Sequence, residues 1–239
     1  MRFLTALTAF AILTLTTAMR ADQPKDKAPD KPAWKDLFDG KSLEGWKAAD
    51  YTNGGKVVVK DGALVMEKGQ AMTGVVCKKA DFPRMDYEVT FEGKKIDGDD
   101  FFCTTTFPVG KDHCSLVMGG WGGQVVGLSS LNFQDASENE TTKSKEFKHG
   151  EWYKVRIRVT KNRIQAWIGD AKAGDKAAEQ FVDVDTTDRK VGTRLECDAC
   201  KPFGFCTWYT SGAVRNVRVR PLTPAEVKAA ADTKPADKD

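Results

Sequence analysis

Residues 151–170, EWYKVRIRVTKNRIQAWIGD, constrain the fold more than any other stretch of the chain. Tyr153, Val155, Ile157 and Val159 alternate with Lys154, Arg156 and Arg158. Period two is what a strand with one buried and one wet face requires. After the polar tripeptide Lys161-Asn162-Arg163, Ile164, Ala166 and Ile168 alternate with Gln165 and Trp167. Two alternating runs joined by a short polar turn predict a β-hairpin, and Asn162 suits the positive φ that such turns use.

The pattern recurs elsewhere. Tyr87, Val89 and Phe91 alternate within residues 86–92. Residues 101–107 and 114–118 read as strands around a hairpin loop at 108–113. Residues 180–184 and 191–196 read as strands around a polar turn at 185–190. Helical periodicity is nearly absent until Thr223-Pro224-Ala225-Glu226, a capping box with Pro at the first helical position. Strands punctuated by turns predict an all-β fold, two antiparallel sheets packed face to face. Residues 222–239 then form a short helix and a frayed tail.

A 239-residue chain with 41% hydrophobic residues can build one large sandwich core. Residues 1–21 read as an export signal: Arg2 is the positive start, residues 3–15 are apolar, and small residues follow for cleavage. The apolar run is shorter than the roughly 20 residues a membrane span needs, so no transmembrane anchor is expected after cleavage. Residues 22–33 are charged and Pro-rich, a solvated linker. Loss of Arg2 and Arg20 lowers the net charge from +3 to +1, which argues against a nucleic-acid partner. The expected location is the periplasm or the cell exterior.

The folded domain is expected over residues 34–221. Its opening, Trp34-Lys-Asp-Leu-Phe-Asp-Gly-Lys-Ser-Leu-Glu-Gly-Trp46, resembles that of the 3-keto-disaccharide hydrolase domain family. The resemblance continues at the Asp61-Gly62 turn, at Gly150-Glu-Trp-Tyr153 and in the terminal strand from Gly212 to Val219. It implies a concanavalin A-like jelly roll acting on carbohydrate. Many members carry an Asn-Ser-Gly-type segment where this chain has Asp99-Asp-Phe-Phe-Cys, so the chain resembles a divergent branch.

The family chemistry the resemblance implies is specific. A ketone at C3 acidifies the C2 proton, and the glycosidic oxygen on C1 becomes a leaving group. One base could remove that proton while a cation or donor holds the enolate oxygen. His113, beside Asp112, is a candidate base, as are the carboxylates Asp99 and Glu138; Asp100 and Glu140 are further acidic residues of that stretch. Arg194, Lys201 or a bound divalent metal could hold the oxygen, although no metal-ligand set is readable. Each of these residues also has an ordinary reading as a solvated loop residue, and His149 reads as turn chemistry.

Trp121, between Gly119-Gly120 and Gly122-Gly123, could stack on a sugar face, and so could Trp167 beside Gln165, or Trp208. Trp121 and Trp167 read equally as packed indoles, and for Trp208 packing in the core is the leading reading. Arg194 and Glu196 alternate with Leu195 and share a face as a salt bridge or as ligands for substrate hydroxyls.

Six cysteines remain after signal removal. A local Cys197–Cys200 disulfide and a Cys103–Cys114 bridge are expected, with buried free thiols as the alternative. Two functions fit: an exported enzyme cleaving 3-keto-glycosides, or a carbohydrate-binding or structural module of the envelope without catalysis.

Overall fold

In a computed structural model of the chain, the described residues are 32–79, 81–174 and 178–233. The expected signal and linker fall almost entirely outside them, as does the end of the tail. The strands are β1 Lys35–Asp36, β2 Trp46–Ala48, β3 Val57–Lys60, β4 Ala63–Met66, β5 Met72–Cys77, β6 Tyr87–Asp97, β7 Thr104–Val109, β8 Asp112–Gly119, β9 Val125–Ser129, β10 Lys143–Ser144, β11 Trp152–Thr160, β12 Arg163–Asp170, β13 Glu179–Asp185, β14 Gly204–Trp208 and β15 Ser211–Pro221. They form two antiparallel sheets. The eight-stranded sheet runs β13-β12-β11-β6-β15-β4-β3, with β1 also on β15; the seven-stranded sheet runs β10-β9-β8-β7-β14-β5-β2. The chain is an all-β jelly-roll sandwich.

The predicted hairpin is β11–β12, in register from Tyr153↔Asp170 to Thr160↔Arg163. Its turn is the dipeptide Lys161-Asn162, and Asn162 is not among the residues with positive φ. Arg163 already belongs to the strand and is buried. At the β3–β4 turn, by contrast, Asp61 (φ 51) and Gly62 (φ 76) both adopt the left-handed backbone, the geometry that matches strand twist.

Inward residues of both sheets fill one core. Val155, Ile157, Val159, Ile164 and Ala166 are fully buried, as period two requires. Aromatic rings pack within and between the layers: Trp46 stacks on Phe205 at 5.9 Å, Phe82 on Phe203 at 4.3 Å, and Phe91 of β6 meets Phe205 of β14 edge-on at 4.9 Å. The Trp46 Nε1–H donates to the Leu37 carbonyl at 3.0 Å, so the buried indole keeps its hydrogen bond. The capping box forms as predicted and opens the helix Pro224–Asp232.

Three expectations fail. The loop at 108–113 is only the tip Gly110-Lys111; Pro108 pairs with His113 inside the β7–β8 ladder, so His113 is a strand residue. Residues 191–196 are not a strand: Val191 makes a single bridge to Leu131, and a 3-10 turn occupies Leu195–Cys200. All six cysteines are free and buried. Cys197 Sγ lies 3.9 Å from Cys206 Sγ, and Cys103 contacts Met118 rather than Cys114. Asn139 heads an Asn-x-Thr sequence, but its amide nitrogen donates to the carbonyls of Leu128, Gln134 and Asp135, which makes it a structural clamp. No helix among the described residues is long and apolar enough to cross a membrane.

Candidate functional site

The outward face of the seven-stranded sheet is built from small and polar residues. Thr104, Thr106, Ser115 and Cys206 are all fully buried, because a loop lies on top of them. That loop is the 3-10 turn Leu195–Cys200. It is pinned from two sides: the Tyr51 hydroxyl donates to the Glu196 carbonyl at 2.6 Å, and Thr106 Oγ1 donates to the Cys197 carbonyl at 3.4 Å. Where the loop stops short of the end of β8, a cleft of about 220 Å³ remains. Asp100, Phe101, Thr104, Val117, Trp121, Arg194, Glu196, Cys197 and Trp208 line it.

Trp121 forms one wall. The chain leaves β8 through Gly119 (φ 79) and places Trp121 itself at φ 50, ψ 56, with Gly122 and Gly123 also at positive φ. A bulky residue in the left-handed region costs on the order of 1–3 kcal/mol. A Cβ on Gly123 would crowd the Asp99 carbonyl at 3.1 Å, on a backbone of φ 103 that L side chains rarely adopt. The carboxylate of Asp100 braces the turn by accepting from the Gly122 N–H at 3.2 Å and the Phe101 N–H at 2.8 Å. The strain leaves the indole 44% exposed, an apolar plate facing the cleft. Trp208, half-buried and 6.4 Å from Phe101, supplies the second plate.

Arg194 and Glu196 bring charge. Leu195 points away and is 84% exposed, which leaves its two neighbours on the cleft side. They share that side through the 3-10 turn and not through strand alternation. The guanidinium holds Glu196 with two nitrogens, at 3.0 and 3.3 Å, and Asp135 at 2.7 Å; it lies 5.7 Å from the Trp121 ring. The Arg194 hydrogen bond keeps the Glu196 carboxyl below its ordinary value, so it is ionised at neutral pH. Beneath them, a hydrogen bond from Cys206 holds the Cys197 thiol below its usual range, while Cys197, Cys200 and burial push Cys206 up.

The remaining predicted residues lie elsewhere. His113 stands at the start of β8, six residues or about 20 Å from Gly119. Burial, then Arg84 and Lys201, hold its imidazole below the ordinary value, and its buried Nε2 has no hydrogen-bond partner among the described residues. Asp99 is exposed beside His149, 3.9 Å away. Exposed Glu138 accepts from the Asp135 N–H at 3.4 Å, one residue removed from Arg194. Trp167 and Gln165 sit on the opposite face of the sandwich: Trp167 lies under Arg156, and Gln165 is buried beside Asp183. So Trp121, Trp208, Arg194 and Glu196 converge with Asp100, and His113, Asp99, Glu138, Trp167 and Gln165 do not line the cleft. No group of three or more His, Cys, Asp or Glu among the described residues is placed to hold a metal ion.

The profile of one family, described as the 3-keto-alpha-glucoside-1,2-lyase-like domain, matches residues 33–220. The chain belongs to this family. It is a carbohydrate-active family, and the 3-keto-disaccharide hydrolase resemblance read from the Trp34–Trp46 opening is thereby shown. No curated protein matches the chain. Among solved structures, the apo Crh5 transglycosylase superposes with a TM-score of 0.53 at 13% identity, over 80% of this chain and 85% of that one. The Ca²⁺/Man3GlcNAc-bound exoplasmic/lumenal domain of VIP36 gives 0.50 at 12% identity, over 80% and 91%. These two similarities show the shared fold, one that serves both a transglycosylase and a glycan-bound domain.

Proposed function

We propose that the Trp121 cleft cleaves 3-keto-glycosides by base-assisted elimination. The observation that carries this reading is the convergence of two indoles, a guanidinium and an ionised carboxylate in one cleft of the domain matched by the lyase-like family. Trp121 and Trp208 stack on the sugar faces. The C3 carbonyl oxygen takes a hydrogen bond from Arg194, and Glu196 removes the C2 proton. The C2–H electron pair moves into the C2–C3 bond as an enolate, whose negative oxygen rests on the guanidinium. Collapse of the enolate breaks the C1–O bond and leaves a C1=C2 double bond conjugated to the ketone. The departing oxygen recovers the proton from Glu196.

The Arg194–Glu196 pair suits this sequence. Without substrate, the guanidinium holds Glu196 acidic and weakly basic. A ketone oxygen that competes for the same guanidinium loosens the pair and raises the basicity of Glu196 as the substrate arrives. An exposed aromatic surface without a perturbed acid–base group would have favoured a binding module; the bidentate pair beside Trp121 favours the enzyme.

The test is a purified chain from about residue 22, incubated with a 3-keto disaccharide and with its unoxidised parent. Release of sugar from the keto form alone is expected, and a parallel assay with chelator reads any divalent metal. Calorimetric binding of either sugar without release would make the domain a binding module.

A further inference from the structure

Alternate side chains of a strand share one side of its sheet, so Thr104 and Thr106 of β7 both belong to the outward face of the seven-stranded sheet. Their surroundings differ. The loop at 195–200 covers Thr106, whose hydroxyl has partners in Ser115 Oγ at 2.9 Å and the Cys197 carbonyl at 3.4 Å. Thr104, about 7 Å along the strand, lines the Trp121 cleft. Thr104 is fully buried, and its Oγ1 has no hydrogen-bond partner among the described residues.

The side chains around it are apolar or already engaged. Thr104 pairs across the sheet with Cys206 of β14, whose thiol contacts Cys197. Val117 and Phe101 bring only apolar side chains to the cleft. The Asp100 carboxylate accepts from the Phe101 and Gly122 N–H groups, and Arg194 holds both Glu196 and Asp135. A buried hydroxyl without a partner costs the desolvation of that group. Valine has nearly the same shape, carries no such cost and suits a central strand well. Threonine at this position therefore weakens the free fold, and the cleft is the side from which a partner can reach it.

We infer that Thr104 is a specificity-determining residue of the cleft, its hydroxyl hydrogen-bonded to one hydroxyl of a single sugar ring held between Trp121 and Trp208. The inference rests on the reading of this cleft as a 3-keto-glycoside site. The cleft holds about 220 Å³, below the roughly 300–1,000 Å³ of pockets for drug-sized ligands, so the oxidised ring enters and the leaving group stays outside. A threonine hydroxyl both donates and accepts, which matches a sugar hydroxyl. Arg194 and Glu196 are then left for the ketone and the C2 proton. A ring that lacks the matching hydroxyl leaves Thr104 unpaired in the complex, and the cleft discriminates against it on that ground.

The experiment compares the full chain with Thr104→Val and Thr104→Ser. Each is followed by urea unfolding, by turnover of a 3-keto disaccharide and by calorimetric titration with its unoxidised parent. Thr104→Val is expected to raise the urea midpoint, and to raise KM and Kd about tenfold with kcat within about threefold of native, because a contact made in both ground and transition states is lost. Thr104→Ser keeps the hydroxyl and is expected to stay within about threefold of the native KM and Kd. Native KM and Kd in Thr104→Val overturn the proposal. So does a loss of affinity that Thr104→Ser shares, or one that comes with a lower urea midpoint, since either marks a packing role. Binding of the sugars by the native chain without cleavage refutes the catalytic reading alone, and Kd still decides the role of Thr104. A native chain that neither binds nor cleaves them overturns both.

Discussion

On the outer face of the eight-stranded sheet, the alternate positions of β6 and β11 are mostly long charged side chains, Glu88, Glu92, Lys94, Lys154, Arg156 and Arg158. On the outer face of the seven-stranded sheet, the corresponding positions are short: Thr104, Thr106, Ser115 and Cys206. Long side chains cover their own sheet, and the carboxylates of Glu88 and Glu92 each sit between two cations. Short side chains cannot shield their sheet from water, and a loop descends on them. It brings Arg194 and Glu196 with it, and its edge becomes a cleft. One period-two code therefore yields a paired ionic surface on one side and a concave site on the other.

The largest effect is expected from removing a central acid of the ionic surface. Glu88 is 2% exposed between two guanidinium groups. Glu88→Gln leaves Arg158 without its carboxylate and is expected to destabilise the fold by about 3–5 kcal/mol, read by urea unfolding. On the other face, Glu196→Gln is expected to cost about 10²-fold or more in turnover of a 3-keto disaccharide, with little change in the unfolding midpoint. If the two variants exchanged phenotypes, the assignment of one face to stability and the other to chemistry would fail.

Much of this division was legible in the sequence, and the reasons are physical. The Tyr153–Val159 and Ile164–Ile168 alternations must bury one face, so the hairpin and sandwich followed from period two alone. Trp121 stood out because four glycines around an indole suit an unusual backbone path. The cleft's other parts were hidden. Residues 191–196 carry β-branched residues and an apparent alternation, yet they cross the sheet as a loop, because Tyr51, some 145 residues away, holds the Glu196 carbonyl. The bulge in β15 that turns Arg218 outward depends on the left-handed backbone of Asn216, which reading Gly212–Val219 as a regular strand does not reveal. Cys197 and Cys200 suggest a local bridge by spacing, but both thiols are free and Cys197 Sγ lies 3.9 Å from Cys206 Sγ.

A gentler probe lies where the C-terminal helix meets the ionic face. Arg220 and the helix cap hold the Glu226 carboxyl at about 2, below its ordinary 4.5. A depressed carboxyl pKa contributes stability that is present above the unfolded value and is lost as pH falls through the folded one. Glu226→Gln is therefore expected to cost about 1–3 kcal/mol at pH 7 and progressively less between pH 4.5 and 2. Unfolding curves of both chains across that window test it; a constant difference would show that Glu226 acts by shape alone.

His113 shares the outward side of β8 with Ser115 and lies near Lys201 and Asp198, at the far end of the covering loop. Its folded value is depressed below 6.5, chiefly by burial, then by Arg84 and Lys201, against the opposing pull of Asp112 and Asp198. The unfolded chain therefore binds more protons between the two values, and stability rises with pH through that interval. The native chain should lose stability as pH falls below about 6.5, and His113→Gln should lose less of it. Comparing urea midpoints of the two chains at pH 7.5 and 5.5 isolates this one imidazole from every other titrating group. Turnover of a 3-keto disaccharide by His113→Gln should remain near the native rate, since the residue lies about 20 Å along β8 from the Trp121 turn. A variant that kept the native pH dependence of stability but lost turnover would transfer the base from Glu196 to His113 and move the reaction to the other end of the sheet.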